Sequence, residues 1–469
     1  MTNALETALK HLDADQSNAV DRLKALLAIP SVSTDPAYAS HVKDASAWVA
    51  SFCEEIGLEV DVASADGGHP VIIAKTTDNH VADPAAPRLL FYGHYDVQPP
   101  DPLDGWTAPP FEPTVREGKL YARGACDDKG QVMCFLEALR SYHATGQKLP
   151  CHVTLLIEGE EECGSVTLPK VLAERANDLQ ADICVVSDTG MWEGKDGPTP
   201  AITYALRGLV YFDLKLHGPS RDLHSGLYGG VLPNPANLLT RVLGKLMDDD
   251  NRVTIPGFYD DVADVSEEEA AKWEQLGFDE GQYLGGVGAV PFGEKGYTTL
   301  QRRWSRPSCD INGLYGGYMG EGAKTVIASF AGAKVSFRIP ADMDPKKLAK
   351  QFEDWVQSHD VANCRWEITH HGEADPVAVP ADSDWVHTAS GAIEKIVGRP
   401  PALIREGATI PVIADLKNQL GLDSLLIGFG LNSDAIHSPD EHFALDRFHL
   451  GCKCHAALLA QAGVKNRAK

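Results

Sequence analysis

The sequence predicts an α/β protein, a mainly parallel sheet with helices on both faces, interrupted by an inserted α+β unit. Short, strongly apolar runs at 89–92, 151–157, 183–187 and 425–429 read as strands buried on both faces, as a parallel sheet requires. Helical patterns alternate with them. After about Thr203 the texture changes to alternating apolar and polar residues, and the first pattern returns from Trp385.

Taken in order, residues 4–28 carry a helical pattern, and strands follow near 58–62, 71–75 and 89–92. A helix over 129–143 starts just after Asp127 and Asp128; the strand 151–157, a helix over 167–179 and the strand 183–187 come next. The alternating run 205–216 opens the inserted unit. A helix over 234–247 has Pro235 near its first turn, where proline is tolerated. The acidic, glycine-rich stretch 260–288 reads as an irregular excursion, and strand 334–339, helix 345–359 and strand 365–370 complete the unit. A helix to Val397, strand 403–405, helix 411–420, strand 425–429 and a last helix over 447–462 return to the first pattern. At 469 residues the chain exceeds what one hydrophobic core usually supports, so two domains are expected.

A formal charge of −24 opposes nucleic acid and anionic membranes as partners. No apolar run reaches the roughly 18 residues of a membrane span, and Met1 to Asp15 lacks a basic stretch followed by an apolar core. A cytoplasmic location is the expectation. The ten cysteines are scattered with no C-x-x-C pair, which fits buried thiols in a reducing compartment. Cys126 and Cys163 fall among the polar motifs, but neither has the companion histidine and asparagine of a thiol nucleophile.

The chemistry lies at the strand ends. His94 and Asp96 are two residues apart and share one face of the pleat. Asp127 and Asp128 precede a helix, Glu158 to Glu162 follow the 151–157 strand, and Asp188 follows the 183–187 strand. Strand carboxyl ends form the ligand-binding edge of an open α/β sheet, so these groups should converge. Singly, Asp127 and Asp128 read as helix N-caps and Asp188 as a turn residue. Capping does not explain four buried strands that all end in acids or histidine, and a two-metal hydrolase does. For His437 to join them, residues from about 206 to 383 must be an insertion and the domain around the site discontinuous.

Seven stretches occur in one order: Gly93-His-Tyr-Asp-Val-Gln-Pro99, Arg123 to Gly130, Glu158 to Ser165, Asp222-Leu-His-Ser-Gly226, Gly322-Ala-Lys-Thr-Val-Ile327, Arg405-Glu-Gly-Ala-Thr-Ile-Pro411 and His437-Ser438. In them the chain resembles the M20 metallopeptidase family, within it the cytosolic non-specific, carnosinase-like dipeptidase branch. The resemblance implies a catalytic domain over 1–205 and 384–469, with 206–383 as lid and dimerisation domain. It implies two divalent metal ions, zinc first with manganese or cobalt as alternatives. Asp127 bridges them, His94 and Asp188 complete one shell, and Glu162 and His437 complete the other. Asp96 would orient His94, and Glu161 would take the proton of the water between the metals as it attacks. Glu158 and Glu160 are left without a metal role, Glu160 as an exposed acid.

In the inserted domain the resemblance implies that His224 reaches the partner subunit's site of a homodimer to stabilise the oxyanion. Arg338 would bind the terminal carboxylate of a short peptide substrate, with Thr325 and Thr409 as further contacts. Gly407-Ala-Thr409 stands where the branch often has Gly-Gly-Ser, so hydroxyl chemistry is kept while the loop gains bulk.

The expected activity is hydrolysis of dipeptides with a free C-terminal carboxylate. The alternative is an M20-type amidohydrolase acting on N-acyl or N-carbamoyl amino acids. A third reading, a non-catalytic metal-binding protein, is opposed by the presence of Glu161 beside every ligand. Gly317 to Thr325 resembles a phosphate loop, but Ala323 separates glycine from lysine and no clear strand precedes it. H-E-x-x-H and G-x-S-x-G are both absent.

Overall fold

The computed structural model describes residues 3–465. The chain divides into two compact units, one of Met1–Tyr204, Val379–Ile404 and Asp415–Lys469, the other of Ala205–Ala378 and Arg405–Ala414. The expected boundaries had put 379–383 in the inserted domain and 405–414 in the catalytic one. The second segment groups with the inserted unit through its side chains: Arg405 pairs with Glu269, and Glu406 with Arg303.

At the centre of the first unit's sheet lie four parallel strands in the order His152–Glu158, Arg88–His94, Ile183–Val186 and Ser424–Leu426. All residues of His152–Glu158 and all but the first of Arg88–His94 are buried, which accounts for their largely apolar character. The flanking pairs are antiparallel: Val71–Lys75 against His152–Glu158, Glu59–Ala63 against Val71–Lys75, and Ala201–Leu206 against Ser424–Leu426. Helix Lys129–Ala144 is buried on almost every side, packed among Arg88–His94, Leu445–Lys465 and Asn3–Ala14. Phe91 stacks on its Phe135 with ring centroids 4.0 Å apart.

The single helix expected over 4–28 is two, Asn3–Ala14 and Gln16–Leu27, divided at Asp15. The Asp15 carboxylate accepts from Asn18 and Arg22 rather than capping a backbone N–H. Helix Ala39–Glu55 had no counterpart among the expected elements, although its buried Val42, Ala45, Val49, Phe52 and Cys53 recur at helical spacing.

The second unit holds a four-stranded antiparallel sheet in the order Ser308–Gly316, Phe330–Ile339, Gly208–His217, Arg365–Ala374. Along Gly208–His217 burial alternates strictly, with Val210, Phe212, Leu214 and Leu216 facing the core. Helices Pro235–Leu243 and Pro345–Gln357 cover that core, capped by Asn234 and Asp344. Phe352 is fully buried with Phe212 and Phe337 each 4.9 Å away; its truncation to alanine costs about 3–5 kcal/mol. The 260–288 excursion is not wholly irregular, since it carries helices Glu267–Glu274 and Glu280–Gly285. The segment before Gly317 is a strand after all. It lies at the sheet edge, and an irregularity between Ile311 and Gly313 breaks the two-residue period that reveals a strand in sequence.

Candidate active site

The parallel strands of the first unit deliver acids and a histidine to one sheet edge. His94 closes Arg88–His94, and Asp96 lies two residues on. Glu161 and Glu162 occupy a short 3-10 turn after His152–Glu158, and Asp188 follows Ile183–Val186 by two residues. Asp127 comes from the turn before Lys129–Ala144. His437, at φ 59°, comes from a loop that also holds Ala435 and Asp440 in the left-handed region, a backbone state that costs a non-glycine residue about 1–2 kcal/mol.

Two ligand groups form, and Asp127 belongs to both. His94, Asp127 and Asp188 offer donor atoms within 4.8 Å of one another, as do Asp127, Glu162 and His437. The two Asp127 oxygens divide between them, Oδ1 lying 3.2 Å from His94 Nε2 and Oδ2 2.8 Å from His437 Nε2. His94 Nε2 is 4.0 Å from Asp188 Oδ2, and His437 Nε2 is 3.3 Å from Glu162 Oε2. Asp96 joins the groups: Oδ1 is 3.3 Å from His94 Nδ1, and Oδ2 accepts from the Glu162 backbone N–H at 3.0 Å. Gln98 donates from its side chain to Glu162 Oε2 at 2.7 Å and from its backbone to Oε1 at 3.1 Å.

Charge is badly balanced here. Burial pushes the carboxyls of Asp128 and Asp188 well above the usual range, reinforced at Asp128 by Asp188 and Asp127 and at Asp188 by Asp127, Glu161 and Glu162. Burial, then Glu162, Asp127 and Asp96, brings Glu161 to about 7 against the pull of His94. Burial opposes protonation of His94, but the Asp127 and Asp96 carboxylates outweigh it and raise its pKa well above normal. Hydrogen bonds to Asp127 and then Glu162 take His437 to about 10. Among the described residues no lysine or arginine pairs with Asp127, Glu161, Glu162 or Asp188, and His94 Nε2 is buried without hydrogen-bond geometry. Carboxylates shared with imidazoles, without thiolate, fit a pair of divalent cations. The Glu161 carboxylate differs from that of Glu162 in having no hydrogen bond or ion pair among the described residues.

Two buried acids escaped sequence reasoning. Glu441 is fully buried and accepts four hydrogen bonds from residues 123–127. Asp434 is gripped by Arg447 through two bonds of 2.6 and 2.5 Å and accepts from Leu431 N and Cys126 Sγ. Acids and a basic residue near a chain terminus read as a solvated surface, and only the apolar Phe443 and Phe448 nearby signalled burial. Glu160, expected to be exposed, is only 6% exposed because its carboxylate accepts from His69 N, Thr167 N and Thr167 Oγ1. Glu158 is buried too, accepting from Tyr92 and Ser165 at 2.7 and 2.8 Å. Of the two cysteines in these motifs, Cys126 is buried and Cys163 exposed.

The second unit holds the other expected residues. His224 is exposed, and its Nδ1 accepts from Gly226 N at 3.0 Å. It pairs with Val326 in a two-stranded ladder, which puts Thr325 alongside, exposed, with its carbonyl accepting from Ser225 N. Arg338, near the end of Phe330–Ile339, donates from Nη1 to Thr409 Oγ1 at 2.7 Å, and no carboxylate pairs with it among the described residues. Thr409 in turn donates to the Arg207 carbonyl at 2.5 Å. No helix among the described residues is long and apolar enough to cross a membrane.

A family model described as "Peptidase family M20/M25/M40" matches residues 90–461. The chain is 32% identical to the Cys-Gly metallodipeptidase DUG1 of Saccharomyces cerevisiae, over 98% of each chain. It resembles the crystal structure of human carnosine dipeptidase 1 at a TM-score of 0.80 and 30% identity, covering 98% of this chain and 99% of that one. A metallo-carboxypeptidase of Sulfolobus solfataricus, described as M20, aligns at a TM-score of 0.82 and 29% identity, covering 95% and 99%.

Proposed function

Because the chain belongs to peptidase family M20/M25/M40, we propose that it is a two-metal dipeptidase acting on short peptides with a free C-terminal carboxylate. The observation that carries this reading is Asp127, whose two oxygens face two separate ligand groups. In it, His94 and Asp188 hold one divalent ion with Asp127, Glu162 and His437 hold the other, and zinc is the first choice with manganese or cobalt as alternatives. When bound, such ions polarise a carbonyl and lower the pKa of a water. Asp96 keeps His94 in one tautomer, its backbone carbonyl accepting the Nδ1–H at 3.1 Å with the carboxylate Oδ1 3.3 Å away. Glu161, unencumbered by other partners, accepts the proton of the attacking water and returns it to the departing amine. Arg338 clamps the substrate's terminal carboxylate, with Thr409 and Thr325 as neighbouring hydroxyl contacts. His224, contributed by a second copy of the chain, donates to the carbonyl oxygen as it becomes an oxyanion. The inserted domain then serves as lid and dimerisation unit around a discontinuous catalytic domain. A cytoplasmic location belongs to the same reading, in keeping with cysteines that are all free.

The test is a substrate panel on metal-free protein reloaded with zinc, manganese or cobalt: a dipeptide, its amide, the matching tripeptide and an N-acyl amino acid. The dipeptide should be cleaved fastest and only with metal present. Faster cleavage of the N-acyl amino acid would favour an amidohydrolase, and full activity without a transition metal would end the two-metal reading.

A further inference from the structure

Glu441 stands outside both ligand groups, yet each of its oxygens is occupied by the loop that carries Asp127. Oε1 accepts from the backbone N–H of Cys126 at 2.9 Å and of Asp127 itself at 3.1 Å. Oε2 accepts from Gly124 N at 3.0 Å and from Arg123 Nη1 at 2.7 Å. A carboxylate with four donors and no exposure is a rigid template, because moving it strands several buried N–H groups at about 1–3 kcal/mol each. Glu441 is also only four residues beyond His437. The intervening segment is pinned by Asp440, which accepts from Thr107 N at 2.9 Å and Thr107 Oγ1 at 2.5 Å. One short stretch of chain thus presents His437 and at the same time sets the backbone under Asp127.

We propose that Glu441 is the positioning residue of the metal centre: it fixes the shared ligand Asp127 in register with His437, so that both ligand groups exist before any cation arrives. Its effect passes entirely through Asp127. The inference rests on the two-metal reading above.

The experiment compares wild type with Glu441→Gln, which keeps size but replaces one acceptor oxygen by a donor amide, and with Glu137→Gln. Glu137 is a buried carboxylate on helix Lys129–Ala144 held by Arg22 at 2.6 and 2.8 Å, and so controls for loss of a buried ion pair away from the ligands. Metal-free full-length proteins are followed by amide exchange at Gly124, Cys126 and Asp127, then titrated with zinc and with cobalt. Glu441→Gln should speed exchange at those three amides, lower zinc affinity by about 10–100-fold and alter the visible cobalt spectrum. Glu137→Gln should lose melting temperature but keep zinc affinity and spectrum. Wild-type zinc affinity and cobalt spectrum in Glu441→Gln would overturn the proposal, as would an equal affinity loss in Glu137→Gln. If Glu441→Gln does not fold, Thr107→Val loosens the same segment from an exposed position; faster exchange at Cys126 and Asp127 together with several-fold weaker zinc affinity supports the proposal, and weaker affinity without faster exchange at those amides, or no change in either, overturns it. Wild type that fails to bind two zinc ions would instead refute the two-metal reading.

Discussion

Adjacent Glu161 and Glu162 offer the sharpest separation of chemistry from metal binding. Glu161→Gln removes a carboxylate that touches no hydrogen-bonding partner, so the fold loses nothing there and repulsion from Glu162, Asp127 and Asp96 is relieved. If Glu161 is the base, kcat should fall about 10²–10⁴-fold, or about 3–5 kcal/mol of transition-state stabilisation at 1.36 kcal/mol per decade. Zinc affinity should stay within about threefold, since an unengaged carboxylate leaves no ligand atom behind. Glu162→Gln acts differently. Its carboxylate takes both Gln98 donors and lies 3.3 Å from His437 Nε2, and the new amide offers donors to donors. A stranded Gln98 bond costs about 1–3 kcal/mol, and zinc affinity should drop at least about tenfold, the lower end for losing even an indirect ligand contact. Zinc titration by calorimetry beside steady-state kinetics reads both quantities. Equal loss of zinc affinity in the two variants would refute the division of labour.

The other expectations concern the rest of the site. Mixing His224→Ala with Glu161→Gln protein should restore activity through hybrid dimers that hold one intact site; hybrids confirmed by mass but inactive would show that His224 does not act across subunits. Arg338→Ala should erase most of the preference for a dipeptide over its amide, a ratio of roughly tenfold or more given about 1.4 kcal/mol per decade, and amides cleaved as well as free dipeptides by wild type would refute the clamp. Burial raises both Glu158 and Glu161 from 4.5 to about 7. A raised folded-state pKa gives stability that is complete below about pH 4.5 and lost as pH climbs through 7. Metal-free protein should therefore melt lower at pH 8 than at pH 6, and zinc should recover more at pH 8; a zinc-induced gain that is flat with pH would contradict this. The same groups set the activity profile, because Glu161 must be ionised to act: kcat/KM should fall on the acid side, and cations beside it should move that limb below 7.

Sequence by itself determined the parallel core and the ligand types. Arg88–His94, His152–Glu158 and Ile183–Val186 are buried on both faces, so they had to be strongly apolar and the charged residues at and beyond their ends conspicuous. The helices Lys129–Ala144 and Pro345–Gln357 were legible for local reasons, the first from the two aspartates that precede it and the second from Pro345 in its first turn. Elements whose signal is not local were missed or blurred. The edge strand Ser308–Gly316 lost its period to an irregularity, and the break at Asp15 depends on Arg22 and Asn18 drawing its carboxylate away. Only the tertiary structure decided that Arg405–Ala414 packs with the inserted unit, and that Glu160 is buried rather than solvated. It also decided the partnership of Glu441 with residues more than three hundred positions earlier, which no window along the chain can contain. An acid in a sequence looks the same whether water or four N–H groups surround it, and folding alone supplies the difference.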